Sequence, residues 1–402
     1  MQKIWKKALV YAGIVLFFLV LAYGFVPQVL GGKIVNQSDI SGYVGMAREA
    51  NQWDKAHPDD PTAWTNSMFG GMPTTMITGN HEGDWTQKIY DAFLTGKRPA
   101  TYLFITLLGA FLLLLSLGID KILAIGGAVA VAFCSYNMQI IQVGHNTKMM
   151  AIAWLPWVLA AVIFTYRSAL GIYRKPEDNA EKCWKSWLPQ AVLGAALFGM
   201  ALNFQIKANH IQISYYLAII IFCYAIGLFI WLISDKERRR GIGKFFAASF
   251  LLLFLGIVGI GANANKLIPM YRYSHQTMRG GSELTVEGNA DKSKGLDIEY
   301  ATSWSYGWQE LPNLMIPNFN GGSSAGAVNP SKSETVKLLK RYGQSNVREV
   351  AKTLPLYWGP QPFTAGPMYV GAITVFLFLL GLFLCDGKDK WWIFAATIIA
   401  IL

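Results

Sequence analysis

Charged residues are scarce in this chain of 402 residues, since only 15% are Asp, Glu, Lys or Arg. A soluble domain carries about 25%. Apolar residues make up 53% of the chain, and they recur in runs long enough to cross a hydrocarbon core roughly 30 Å thick. The composition therefore excludes an ordinary soluble domain and predicts an all-α polytopic membrane protein.

Cysteine is also rare, with four residues in the whole chain. They lie in or beside apolar runs or in a basic loop, without any CxxC spacing: Cys134, Cys183, Cys223 and Cys385. Structural zinc sites and disulfide frameworks use closely or regularly spaced cysteines. Neither is expected here.

Nine apolar runs are the candidate membrane spans. Eight of them cover about 8–30, 101–118, 122–138, 149–166, 188–204, 211–233, 245–263 and 366–385. The ninth, 391–402, is shorter and would rise about 18 Å as a helix, which is too little to cross. We therefore expect the chain to be the front part of a longer protein.

The distribution of Lys and Arg predicts the orientation. The first run is long for the core of a signal peptide and no clear A-x-A site follows it, which favours a retained helix, the alternative being a cleaved signal peptide. Lysines before the run place the N-terminus in the cytoplasm. Alternation from there places sixteen Lys or Arg in five inside segments: 1–7, 119–121, 167–187, 234–244 and 386–390. All five histidines fall outside. We interpret the basic runs as topology signals and not as a nucleic-acid site.

Three parts follow from this topology. Residues 1–265 are predicted to form an N-terminal transmembrane bundle, with a first outer loop over 31–99. A large outer region covers 266–365, and its aromatic residues predict a small folded unit. Residues 366–402 hold further transmembrane helices, the last one incomplete.

Two local patterns stand out in the large outer region. A helix is predicted over 334–353. Trp304, Tyr306 and Trp308 alternate, as they would on one face of a strand. Aromatic faces stack on sugar rings, although packing is the commoner use of such a stripe. Trp304 and Tyr306 are therefore candidate contacts for a sugar or acceptor.

Asp39 is the first candidate for chemistry. It precedes apolar positions at helical spacing, which predicts a short amphipathic helix along the membrane surface. A carboxylate at a helix N-terminus is favoured in its charged form, and it can act as a general base or hold a phosphate-bound metal. The plainer alternative is an N-cap formed by Ser38 or Asp39.

Two further motifs lie in the same loop. Asp59 and Asp60 are flanked by prolines, which is typical of a solvated turn, with Mg²⁺ or Ca²⁺ binding as the alternative. The WTNSMFGGMP segment at 64–73 has glycines that permit close approach of backbone to a ligand, or a tight turn. Trp64 and Asn66 are its candidate contacts for a sugar or acceptor.

Two short outside loops repeat one set of residue types, GHNTK at 144–148 and QIKANH at 205–210. Polar side chains this close to hydrocarbon tend to face a cavity. Lysine supplies charge and amide or imidazole groups add direction, so an anionic headgroup such as a lipid phosphate is expected, with interfacial snorkelling as the alternative. Arg279 is a further phosphate clamp or a local ion-pair partner. The candidate set is His145, Asn146, Lys148, Lys207, Asn209, His210 and Arg279.

Together these motifs resemble the YfhO family of bacterial membrane proteins. The stretches that carry the resemblance are QSDI, WTNSMFGGMP, GHNTK, KANHIQISYY, RGGSELT, YATSWSYG and YWGPQPFTAGPMYVGA, spread from residue 37 to residue 372. The family looks like GT-C glycosyltransferases, which implies a multi-span helical bundle with large outer loops. Its members are much longer than this chain, which implies an outer domain beyond residue 402.

The resemblance implies a glycosyltransferase of the bacterial cytoplasmic (inner) membrane. It would move a sugar from a polyprenyl-phosphate carrier to a cell-envelope glycan or lipid on the outer face. By this likeness Asp39 is the base, and His145, Lys148, Lys207, His210 and Arg279 surround the lipid phosphate. The expected partners are membrane lipids, the lipid-linked donor and the acceptor, and a divalent metal is compatible with this chemistry. The alternatives are a lipid or glycan transporter and a non-catalytic envelope-assembly protein.

Overall fold

The structure, a computed structural model, describes residues 2–77, 86–172, 187–277, 280, 298–364 and 366–402. These residues form seventeen α-helices and one short antiparallel hairpin, β1 (Trp64–Thr65) with β2 (Met72–Pro73). In chain order the helices are α1 (Gln2–Phe25), α2 (Ser38–Met46), α3 (Arg48–Ala56), α4 (Gln87–Phe93), α5 (Ala100–Ser116), α6 (Lys121–Ala132), α7 (Ser135–Val143), α8 (Asn146–Leu170), α9 (Leu188–Lys207), α10 (Ile211–Ile233), α11 (Ile242–Gly261), α12 (Ala264–Ser274), α13 (Ile298–Thr302), α14 (Glu334–Arg341), α15 (Val347–Val350), α16 (Ala372–Leu384) and α17 (Asp389–Ile401).

Six helical segments in the described part of the chain are long and apolar enough to cross a membrane. They are Trp5–Phe25, Lys121–Val143, Asn146–Leu170, Leu188–Lys207, Ile211–Ile233 and Arg238–Gly261. The prediction of a multi-span helical membrane protein is therefore confirmed. The predicted spans 101–118 and 366–385 form shorter apolar helices, α5 and α16, and the run 391–402 lies in α17.

Helix α8 is the centre of the bundle. Of the 18 consecutive residues that make up its apolar segment, 78% are buried inside the protein. The corresponding share is 17% to 56% in the other five candidate spans. Trp154 belongs to a core cluster shared with α1, α5 and α6, and Val162 to a second one shared with α9, α10, α11 and α17. Because α8 contributes to both clusters, packing against helices of both clusters fixes the position of its two ends.

The segment Lys121–Val143 is broken between α6 and α7. Asn137 Nδ2 donates to the backbone oxygens of Val131 (3.0 Å) and Ala132 (3.1 Å) at the end of α6. Ser135 Oγ donates to Tyr369 O (2.6 Å) and accepts from Tyr369 N (2.9 Å), and Gln139 Nε2 donates to Pro367 O (3.3 Å). Residues 366–371, which we call the strap, therefore clamp the outer region onto the broken helix.

The outer region folds around a buried carboxylate. Glu310 is fully buried and accepts hydrogen bonds from Tyr357 OH (2.6 Å) and Gln361 Nε2 (3.4 Å). Asn313 and Asn320 bond each other, with Asn313 Nδ2 donating to Asn320 Oδ1 at 2.7 Å. The described residues of the outer region therefore form a folded unit, as expected from the sequence, and not a loose linker.

Two local predictions in this region are wrong. The helix predicted over 334–353 is divided into α14 and α15, because Gly343 takes a left-handed φ of +77° that ends α14. The strand predicted for the alternating aromatics is absent from residues 298–364, where Trp308 begins a 3₁₀ turn that follows α13.

Helix α12 crosses the predicted boundary between residues 265 and 266. Its Tyr273 packs on Ala47, Met72 and Ile77 of the first outer loop. The helix therefore belongs structurally with that loop, and it carries Lys266 towards the same end of the bundle.

Candidate functional site

The first turn of α2 lies on the junction between α7 and α8. Gln37 and Asn146 exchange amide hydrogen bonds of 3.2 and 3.1 Å, and Ser38 Oγ donates to Val143 O (3.3 Å). Gln37 occupies the N-cap position of α2, and its side chain makes no capping hydrogen bond. The N-cap alternative for Ser38 and Asp39 is therefore wrong, since both side chains bond to the bundle.

Asp39 and His145 form a pair at this junction, which we call the dyad. Asp39 Oδ2 lies 2.8 Å from His145 Nε2, and the two side chains are 43% and 48% exposed. A carboxylate on one ring nitrogen fixes the tautomer of a neutral imidazole, so that Nε2 carries the proton and Nδ1 is the acceptor. A pair arranged in this way can take a proton from a hydroxyl group within hydrogen-bond reach.

Gly144 is what allows α2 to come this close. It ends α7 with a left-handed φ of +108°, and a Cβ placed there would lie 3.1 Å from the Cβ atoms of both Asp39 and Gln37. Glycine alone takes such a φ readily and leaves that space empty.

The substitution Gly144→Ala should therefore detach α2 and separate the dyad. The added strain is expected to cost about 1–3 kcal/mol, measured as a lower Tm of the purified protein in detergent. Gly42→Ala and Gly45→Ala are the matched controls, because a Cβ at either position of α2 meets nothing within 4 Å. A Tm for Gly144→Ala equal to those of the controls would contradict this role.

A cavity of about 320 Å³ opens beside the dyad. Tyr43, one turn after Asp39, and Asn146, next to His145, both line it. Its other described lining residues are Thr75, Ile77, Tyr90, Leu94, Arg98, Tyr102, Thr147, Met150, Lys207, Ala208, Asn209 and Lys266. Three of the lining side chains are cationic and none of the described ones is a carboxylate, so the cavity suits an anion.

Two of the three cations contact described amide or aromatic side chains, and the third is partly buried. Lys207 Nζ donates to Gln87 Oε1 (3.3 Å) and lies 5.9 Å from the ring centroid of Tyr90. The guanidinium carbon of Arg98 lies 5.9 Å from the centroid of Tyr102. Burial lowers the pKa of Lys266, because a charged ammonium is disfavoured away from water. A bound anion would relieve this cost.

The structure places six of the seven residues predicted to bind phosphate in one region. Three of them line the cavity and three lie beside it. Asn146, Lys207 and Asn209 line the cavity. His145, Lys148 and His210 lie beside it, where burial lowers the pKa of His210 and the charges of Lys148 and His145 lower it further. Lys148 Nζ is 5.2 Å from the ring centroid of Tyr136. Arg279 lies outside the described residues.

Sequence reasoning missed Arg98, Lys266 and the tyrosines. Arg98 stands before Pro99 at the start of α5, where it resembles an ordinary interfacial cation. Lys266 reaches the cavity only because α12 packs on the first loop. The sequence signal for both was a cation close to one end of an apolar run, before the run for Arg98 and after it for Lys266.

The predicted sugar contacts lie elsewhere. Trp64 Nε1 donates to Asn66 Oδ1 (3.3 Å) within the hairpin. Trp304 Nε1 donates to Phe363 O (3.2 Å), and Tyr306 OH accepts from Met368 N. None of these four residues is in the cavity lining, so their contact with a sugar stays a prediction.

The acid pair at residues 59 and 60 lies in the turn after α3. Both side chains are exposed, and Trp53 Nε1 donates to the backbone oxygen of Asp60 (3.0 Å). Among the described residues, no three His, Cys, Asp or Glu side chains are grouped to hold a metal ion.

No protein-family model matches the chain, and comparison with characterised proteins and with solved structures also gives no match.

Proposed function

We propose that this protein is a membrane glycosyltransferase that takes a sugar from a polyprenyl-phosphate carrier. The observation that carries the proposal is the Asp39–His145 dyad, 2.8 Å between its polar atoms, next to a cavity lined by three cations and three tyrosines. The dyad suits the removal of a proton from a hydroxyl group. The cavity suits the binding of a phosphate headgroup at the end of a membrane bundle.

The dyad would activate the acceptor. The acceptor hydroxyl loses its proton to His145 Nδ1 as its oxygen attacks the anomeric carbon of the sugar. Asp39 holds the imidazole and stabilises the imidazolium that forms. In this scheme Asp39 is a catalytic partner of His145, whereas the sequence alone suggested it as the base itself.

The cavity would stabilise the leaving group. The bond between the anomeric carbon and the phosphate oxygen breaks, and its electron pair stays on the phosphate. Arg98, Lys207 and Lys266 face the negative charge that results, in a site without a described carboxylate. Fixed charges aimed at developing charge are a major source of catalysis. A single displacement of this kind inverts the anomeric carbon.

The test is to measure binding and transfer with a polyprenyl-phosphate sugar. The protein in nanodiscs should bind this donor more tightly than the uncharged polyprenol. Arg98→Gln should weaken donor binding by about tenfold, because a charge-assisted hydrogen bond contributes about 1.5–3 kcal/mol. Lys97→Gln is the matched control, since Lys97 is the exposed neighbour of Arg98 and is not in the cavity lining.

Two outcomes would overturn the proposal. Equal affinity for the phosphate-linked sugar and the uncharged polyprenol would show that the cavity does not bind the phosphate. Tight binding and movement of the intact donor across the membrane, with no cleavage of the sugar–phosphate bond, would favour the transporter.

A further inference from the structure

A second cationic cluster lies at the opposite end of the bundle from the dyad. Helix α10 begins next to His210 and ends at Ile233, about 34 Å away at 1.5 Å per residue. Near this far end, Trp231 has two cations against its ring. Lys388 Nζ is 3.8 Å and the guanidinium carbon of Arg238 is 4.6 Å from the ring centroid. We call these three residues the Trp231 cluster.

The carboxylate of Asp389, the residue after Lys388, is already engaged. Asp389 Oδ2 lies 2.5 Å from Arg167 Nη2, and Asp389 Oδ1 accepts from Trp392 Nε1 (3.0 Å). Burial lowers the pKa of Lys388, Arg167 and Arg238 lower it further, and Asp389 opposes them. Among the described charges that act on Lys388, two are positive and one is negative.

The acidic residues beside Arg238 are also engaged. Asp235 Oδ1 accepts from the backbone nitrogens of Glu237 (2.9 Å) and Arg238 (3.1 Å). Glu237 Oε2 lies 2.7 Å from Arg240 Nη1. The guanidinium of Arg238 lies over the ring of Trp231 and donates a 3.5 Å hydrogen bond to Ser234 Oγ, and both partners are uncharged.

We propose that the Trp231 cluster binds the phosphate of an anionic membrane lipid in the adjoining leaflet. An ammonium and a guanidinium beside one indole offer several donors to one group of phosphate oxygens. Tryptophan at a helix end is typical of the headgroup level. Ile230 and Ile233 on the same helix are 56% and 38% exposed and provide an apolar wall for the acyl chain.

The lipid is favoured over a free phosphate by this apolar wall and by the location. Basic residues at a membrane surface attract anionic lipids with about 1 kcal/mol per Lys or Arg. A free phosphate would use only the two cations and would gain nothing from the exposed helix face.

Native mass spectrometry of the purified protein tests the proposal. Phosphatidylglycerol added to the detergent-solubilised chain should bind more tightly than phosphatidylcholine. Arg238→Gln and Lys388→Gln should each weaken phosphatidylglycerol binding by about fivefold. Lys390→Gln is the matched control, because Lys390 lies two residues from Lys388 and contacts Trp391, at 5.2 Å, instead of Trp231.

Three results would overturn the inference. One is equal affinity for the two lipids. Another is wild-type affinity in both Arg238→Gln and Lys388→Gln. The third is displacement of phosphatidylglycerol by millimolar inorganic phosphate with no preference for the lipid, which would make the cluster a free-anion site. Arg238 is exposed, so its substitution tests binding without disturbing the core. The dyad and its cavity are at the other end, so these results are independent of glycosyl transfer.

Discussion

Replacing Asp39 by Asn should lower the rate of sugar transfer by about 10²–10⁴-fold while donor affinity stays near the wild-type value. The amide keeps the size of the side chain but removes the charge that stabilises a protonated His145, and general-base catalysis contributes about this factor. Donor affinity depends on the cavity cations, which the substitution leaves in place. Single-turnover transfer and equilibrium donor binding, measured on one preparation, separate the two effects.

Asp59→Asn is the control for this substitution, because it removes a carboxylate from the same loop at an exposed turn. Its transfer rate should equal that of the wild type. His145→Gln should resemble Asp39→Asn, since either change removes the dyad. Normal transfer by Asp39→Asn, with an unchanged Tm, would show that Asp39 only docks α2 and that the proposed mechanism is wrong.

Replacing Arg167 by Gln should destabilise the protein by about 3 kcal/mol. Arg167 is 5% exposed and pairs with Asp389, so its removal leaves a carboxylate in a poorly hydrated place without its cation. Breaking a buried pair from one side costs about 3–5 kcal/mol, and the lower figure applies because the Asp389 side chain is 28% exposed. Thermal unfolding in detergent measures the change.

The double substitution Arg167→Gln with Asp389→Asn should recover most of this loss, because the Asp389 carboxylate is no longer left without its cation. Arg240→Gln is the control, since the Arg240–Glu237 pair is 69% and 72% exposed and such surface pairs contribute about 0–1 kcal/mol. If Arg167→Gln lowers the Tm no more than Arg240→Gln does, the pair does not hold α17 on the bundle.

Composition and apolar runs were sufficient to find the apolar helices of the bundle, because burial in a membrane demands long apolar segments. Their ends depended on local chemistry that run length does not contain. The first run was predicted to reach residue 30, yet α1 ends at Phe25, just before Pro27. The break between α6 and α7 was not predicted, since part of its stabilisation comes from Tyr369, far along the chain.

The sequence predicted which types of residue form the site, but it did not predict which of them contact each other. Histidine, asparagine and lysine in GHNTK and QIKANH indicated a polar site, and the structure brings these loops together. The contact between Asp39 and His145 could not be predicted from the sequence around either residue, because it arises from the packing of α2 on Gly144. Arg98 and Lys266 were missed for the same reason, as tertiary packing alone brings them to one cavity.

The clamp between Ser135 and Tyr369 has a consequence for biosynthesis. The two residues are 234 positions apart, so at about 5–20 residues per second the ribosome needs roughly 12–47 s to deliver the second after the first. During that interval α7, which carries Gly144 at its end, lacks the strap. The end of the bundle that holds the dyad is therefore completed late in synthesis, although its helices are among the first to enter the membrane.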